Sequence, residues 1–160
     1  GHIIKRLEED PSLTIVIDAP ASGHTLSLFN STHNFREMFK VGPLVEDIHK
    51  MHHFLKKNEN LKVCILCLPN IMNVQEALEL KSGLNNLNLF EGHLILNELL
   101  EGLSHSELET VPNFLREKIS IEQSLKKQYE QNFTEVVPFL SSTDYKDIVI
   151  SLINLMRSIA

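Results

Sequence analysis

The sequence predicts an α/β fold, a parallel sheet covered by helices, and three observations carry that expectation. Ile15, Val16 and Ile17 form a continuous β-branched run, the pattern of a strand buried on both faces. Strand-like and helix-like segments alternate along almost the whole chain, the order that yields a parallel sheet flanked by helices. No internal repeat, low-complexity tract or Pro/Ser-rich linker interrupts the alternation, so residues 1–160 are expected to belong to one domain.

Taken in order, Gly1-His2 resembles a cloning scar, and residues 3–9 read as the end of a helix feeding a strand at Leu13. Pro20 and Gly23 end that strand abruptly. Residues 25–29 continue as a short helical turn, and residues 30–40 read as loop. Pro43 is suited to the first turn of a helix, which would carry Leu44, Ile48, Met51 and Leu55 on one face and stop at Lys56-Lys57-Asn58. A strand Val63-Cys-Ile-Leu-Cys-Leu68 runs into Pro69, and a helix over 73–84 follows. Next come a strand at His93, an amphipathic helix over about 112–131, a strand at Glu135 and a last helix over 144–158.

Asp18 is the first residue that points to chemistry. It closes the β-branched run where a Pro- and Gly-punctuated loop begins, and open α/β sheets bind ligands at the carboxyl ends of their strands. An Asp in that position also reads as a turn former or helix cap. Asn97 closes the run His93-Leu-Ile-Leu-Asn97 in the same way. Its amide offers a donor and an acceptor side by side, which suits it to a base edge as well as to a turn.

The run Asp18-Ala-Pro-Ala-Ser-Gly-His-Thr-Leu26 resembles the second switch of the arsenite-pump and tail-anchored-protein-targeting ATPases, a family of anion-transporting-type, deviant P-loop NTPases. That family's pattern reads Asp-Thr-Ala-Pro-Thr-Gly-His-Thr-Leu. The two agree at Asp18 and from Gly23 to Leu26, with the proline displaced by one position and Ser22 in place of a threonine. Further along, the strand ending in Pro69, the helix with Gln75-Glu-Ala-Leu-Glu79 and the strand His93-Leu-Ile-Leu-Asn-Glu-Leu-Leu100 are similar to consecutive family segments. So is the polar helix with Lys126, Lys127 and Tyr129 that leads into Val136-Val-Pro-Phe139, and the likeness thus spans nearly the whole chain.

The resemblance implies ATP and Mg²⁺ as the cofactors of the complete protein. Asp18 would hold a Mg²⁺-bound water, and Pro20, Gly23, His24 and Thr25 would form the switch, with His24 as a switch contact rather than a general base. Asn97, with Pro69, would recognise adenine. No metal ligand set within the chain is assigned. A homodimer is implied, as are a cytoplasmic location and membrane association only through another protein.

A nucleotide hydrolase of this class also needs a Gly-rich loop and a Lys to cradle the phosphates. The six glycines are Gly1, Gly23, Gly42, Gly83, Gly92 and Gly102; none precedes a Lys, and no GxxxxGK[ST] spacing occurs. Nor is a first switch present. The expectation is therefore a single partial domain, the C-terminal part of a P-loop NTPase domain, inactive alone but supplying the second switch and adenine pocket to an ATP-hydrolysing whole. The alternative is a non-hydrolysing, nucleotide-responsive scaffold or interaction module.

Composition fits such a piece. A net charge of −6 and a pI near 5.7 oppose generic nucleic-acid binding, which wants a basic face. Two cysteines give no disulfide framework. Cys64 and Cys67 have CxxC spacing, but on a strand residues three apart point to opposite faces, so they read as core residues rather than a zinc or redox pair. The zinc-linked dimerisation of the eukaryotic targeting factors is not expected, because residues 101–107 contain no cysteine. His49, His52 and His53 have helical i, i+3, i+4 spacing and read as a solvated helix edge. Met38 and Met51 are too few for a client groove, and without clustered thiols arsenite binding is not expected.

Overall fold

The computed structural model describes residues 2–19, 24–27, 29–30, 43–57, 60–89, 92–140, 142 and 144–157. Its elements are α1 (His2–Glu9), α2 (Pro43–Leu55), β1 (Val63–Cys67), α3 (Ile71–Asn86), β2 (Gly92–Leu99), α4 (His105–Thr110), α5 (Asn113–Tyr129), β3 (Glu135–Pro138) and α6 (Tyr145–Arg157). A 3₁₀ turn, Glu130–Asn132, follows α5. Two compact units are formed, one from residues 1–63 and 78–92, the other from 64–77 and 93–160.

The three strands make a small parallel sheet in the order β1-β2-β3. Ile95 lies opposite Glu135 and Leu96 opposite Val136. The Thr134 N–H and hydroxyl both donate to the Leu94 carbonyl, at 2.8 and 3.0 Å, which sets the start of β3. As the middle strand, β2 buries three consecutive residues, Leu94, Ile95 and Leu96, which is the two-faced burial expected of a helix-covered parallel strand. Each fully buried leucine of this kind contributes about 1.5–3 kcal/mol. β1, at the sheet's edge among the described residues, alternates instead: Ile65 and Cys67 are buried, while Cys64 and Leu66 are exposed. The core reading of the cysteines thus holds for Cys67 and is corrected for Cys64.

The expected strand over 13–17 is also corrected. Residues 13–19 carry no strand pairing, and Val16 is 90% exposed. A β-branched run supplies the backbone preference, but a strand is completed by the ladder of a neighbour. The approach to the run is ordered by a local turn, in which the Ser12 N–H and hydroxyl donate to Asp10 Oδ1 at 3.0 and 2.6 Å.

Helix boundaries follow their caps. α3 begins at Ile71 rather than Asn73, because Asn70 Oδ1 accepts the Asn73 N–H at 2.9 Å and so makes Asn70 the cap. It ends in a Schellman motif, with the Leu89 N–H on the Leu84 carbonyl, the Asn88 N–H on Asn85, and Asn88 in the left-handed region at φ 54°. α4 was not expected from the sequence. Its signal is the capping box Ser104-His-Ser-Glu107, in which the Glu107 carboxylate accepts the Ser104 N–H at 2.7 Å. The far end of α4 is closed by Arg116, whose guanidinium donates to the carbonyls of Leu108, Glu109 and Val111 at 3.0–3.3 Å. The loop expected over 30–40 lies almost wholly outside the described residues, and so does Met38.

Two outcomes follow. A Cβ on Gly92 would collide with the Val63 main chain, so Gly92→Ala is expected to lower the thermal unfolding midpoint, whereas Gly102→Ala, on an open turn, tests only its positive φ and should cost about 1 kcal/mol. Glu107 is held below its ordinary carboxylate value of 4.5 by hydrogen bonds from the Ser104 side chain and backbone. The capping contribution is therefore complete above 4.5 and is lost as pH falls through the lowered value, and amide exchange at the start of α4 should accelerate in that window.

Candidate functional site

The carboxyl edge of the sheet, in the second unit, is where the sequence-predicted residues Pro69 and Asn97 lie. After β1, Pro69 is buried and Asn70 caps α3, so the chain turns sharply away from the edge. After β3, the Phe139 N–H donates to the Leu99 carbonyl at 2.8 Å. Between them ends β2, and its last residues are irregular. The pairing with β3 shifts register between Leu96 and Leu99, and Glu98 has φ 60°. A positive φ at a non-glycine residue is a strained backbone state that persists only where its surroundings enforce it, and bulges of this kind re-aim side chains next to active sites.

Asn97 sits in this bulge. Its side chain is half-buried, and its carboxamide has no hydrogen-bond partner among the described residues. The sequence-predicted pair is thus brought to one edge, Asn97 near the end of β2 and Pro69 two residues beyond the end of β1.

Just beyond this bulge, α5 makes contacts with the chain. Glu122 Oε2 accepts the Leu100 N–H at 2.9 Å, and Gln123 Nε2 donates to the Leu100 carbonyl at 2.9 Å. One residue later, Lys126 Nζ meets Glu101 Oε2 at 2.7 Å. Glu122 is only 2% exposed, between the buried Ile119 and Leu125 on the same helix face. A carboxylate so placed must be compensated by hydrogen bonds. The Leu100 N–H supplies one, and Lys118, largely exposed at 3.7 Å, adds a weak ion pair. These residues were missed by sequence reasoning. The signal was present, since Glu122 interrupts an apolar stripe at i+3 from Ile119 and i−3 from Leu125.

The other sequence-predicted site residues belong to the first unit. Asp18 is exposed at the end of the unpaired run, His24 is exposed, and Thr25 is buried within the helical residues 24–27. Pro20 and Gly23 lie outside the described residues. The segment carrying His24 and Thr25 is anchored by Leu26, whose δ carbons would lie 2.6–2.7 Å from a Cβ on Gly83 of α3. Glycine there permits the close approach.

Among the described residues, no group of three His, Cys, Asp or Glu side chains could hold a metal. Mg²⁺ at a phosphate site takes only one or two carboxylates and otherwise binds phosphate and water. Asp18 is exposed, and its single carboxylate has the chemistry of one such ligand; the Asn97 carboxamide offers a donor and an acceptor side by side. His49 and His53 are exposed along α2, and the His52 side chain lies outside the described residues. Among the described residues, no helix is long and apolar enough to cross a membrane. No family model matches the chain, and no curated protein matches it.

The two cysteines lie on opposite faces of β1. Burial pushes the Cys67 thiol up to about 11, and its Sγ lies 3.6 Å from the Ile95 carbonyl. The native protein treated with a thiol-alkylating reagent near neutral pH is expected to label at Cys64 and not at Cys67, and Cys64→Ser should abolish the reaction; rapid labelling of both would place them on one accessible face.

Proposed function

We propose that this chain is the C-terminal part of an ATP-binding and ATP-hydrolysing domain of the anion-transporting type, contributing the adenine subsite and second switch. The observation that carries the reading is the bulge at Asn97. A carboxamide without a hydrogen-bond partner among the described residues lies at the carboxyl end of the central strand of a parallel sheet, the end of the strands at which open α/β folds bind ligands. Pro69, two residues beyond the end of β1, would give the base an apolar wall. Asp18 would orient a Mg²⁺-bound water in the complete protein, and the segment of His24 and Thr25, docked through Leu26 onto α3, would transmit the state of the nucleotide.

Two further observations support a partial domain. The run 13–17 has the composition of a strand and no ladder, and β1 presents Leu66, 63% exposed, at the sheet's edge among the described residues. Both would suit pairing with a strand supplied by the complete protein. The complete protein would supply the phosphate-binding loop and form a cytoplasmic homodimer whose switches respond to nucleotide. ATP and Mg²⁺ are the cofactors, and any contact with membranes runs through another protein.

One observation favours the non-hydrolysing scaffold as a second reading. Ile71, Ile121 and Leu125 line a groove of about 270 Å³ in the second unit together with Ser120, Ser124 and Gln128, and Met72 is exposed beside Ile71. The exposed Ile71, Met72 and Ile121 give this face apolar surface suited to an interaction site.

The two readings separate on turnover. In the protein that carries the upstream residues, Mg²⁺-ATP is expected to bind and turn over, Asn97→Ala to weaken ATP binding about tenfold, and Asp18→Asn to bind ATP but release phosphate at least about a hundredfold more slowly. Binding without turnover in the unaltered protein would favour the scaffold. Equal phosphate release by the Asp18→Asn protein would remove Asp18 from the chemistry.

A further inference from the structure

The contacts at the end of β2 carry an inference about how the Asn97 subsite is built. A positive φ at Glu98 and a register shift on the same strand need enforcing contacts on the residues that follow. The ladder with β3 holds Leu99, whose carbonyl accepts the Phe139 N–H, and α5 takes over at Leu100. Through consecutive residues it offers an acceptor and a donor to the two main-chain polar groups of one residue, Leu100, as a neighbouring strand would. Neither contact is incidental. Glu122 is a carboxylate withdrawn from water into a helix face that is otherwise apolar, and a leucine or methionine would pack there without the desolvation penalty. What the carboxylate gains in that place is a fixed hold on Leu100, three residues from Asn97.

We propose that Glu122 and Gln123 are positioning residues for Asn97: by gripping Leu100 they impose the bulge that turns the carboxamide toward a bound purine, and so they set the adenine-dependent part of nucleotide affinity. The inference rests on the adenine-subsite reading of Asn97. Neither residue touches the base, so their effect is separable from phosphate binding. Lys126, paired with Glu101 beyond the grip, orders the loop but does not define the bulge.

The test uses Glu122→Met, which keeps the volume and removes the acceptor, with Glu122→Gln as the conservative variant that retains an acceptor oxygen. Amide exchange at Leu100 is read in this chain, and affinity for ATP and for inorganic tripolyphosphate is read in the protein that carries the phosphate-binding residues. Glu122→Met is expected to speed Leu100 exchange about tenfold to a hundredfold and to weaken ATP about tenfold, leaving tripolyphosphate unchanged, with Glu122→Gln restoring both. Should Glu122→Met fail to fold, Gln123→Leu, at a half-buried position, carries the same test through the Leu100 carbonyl. Unchanged exchange and unchanged ATP affinity in a folded variant overturn the grip. Faster exchange together with an equal loss for ATP and tripolyphosphate overturns the positioning role and leaves a structural one. If the unaltered protein binds ATP no more tightly than tripolyphosphate, the adenine reading itself fails, and Leu100 exchange still decides whether the grip exists.

Discussion

Glu122 carries its carboxylate into the apolar face of α5 and accepts the Leu100 N–H, and the carboxyl edge of the sheet is organised around that contact. Central strands of parallel sheets normally end by running out into a loop. Here β2 is instead held past its last paired residue by two side chains that imitate a ladder. With Leu94, Ile95 and Leu96 buried in succession, the strand is fixed at its start by packing and at its end by hydrogen bonds. The bulge between those fixed parts absorbs the mismatch. The Glu122 carboxylate oxygen accepts the Leu100 N–H as a ladder carbonyl would. The cost is desolvation, which only a satisfied hydrogen-bond set offsets.

Local order in the same unit repeats the theme of side chains completing what the backbone leaves open. Arg116 closes three carbonyls at the end of α4, Ser104 and Glu107 satisfy each other's N–H groups at its start, and Asn70 caps α3. In the first unit, Leu26 packs closely against Gly83 of α3, an apolar contact made by the helical residues 24–27.

How much could be read from sequence depended on whether the determinant was local. The alternation of elements, the helix from Pro43 to Leu55 and the strand starts near Val63, His93 and Glu135 were legible, because period and punctuation are carried by neighbouring residues. The α/β class followed from that order. The strand over 13–17 was misread for the opposite reason: its β-branched residues state a preference, but the ladder lies elsewhere in the chain's partners. Cys64 was misplaced in the core because exposure on an edge strand depends on what covers the sheet. Asn97 and Pro69 were legible as strand-end residues, while the bulge between Leu96 and Leu99 was not, since a register shift is a property of two strands. Glu122 was visible as a charge in an apolar stripe, and its partner, 22 residues away in sequence, was not.

The central claim, that the Asn97 edge receives the adenine ring, is tested most directly by photo-crosslinking with an azido-substituted ATP in the protein that carries the upstream residues, with the labelled peptides mapped by mass spectrometry. The account predicts label on the peptides that contain Asn97 and Pro69, suppressed by unlabelled ATP. Competable label confined to other segments would contradict it.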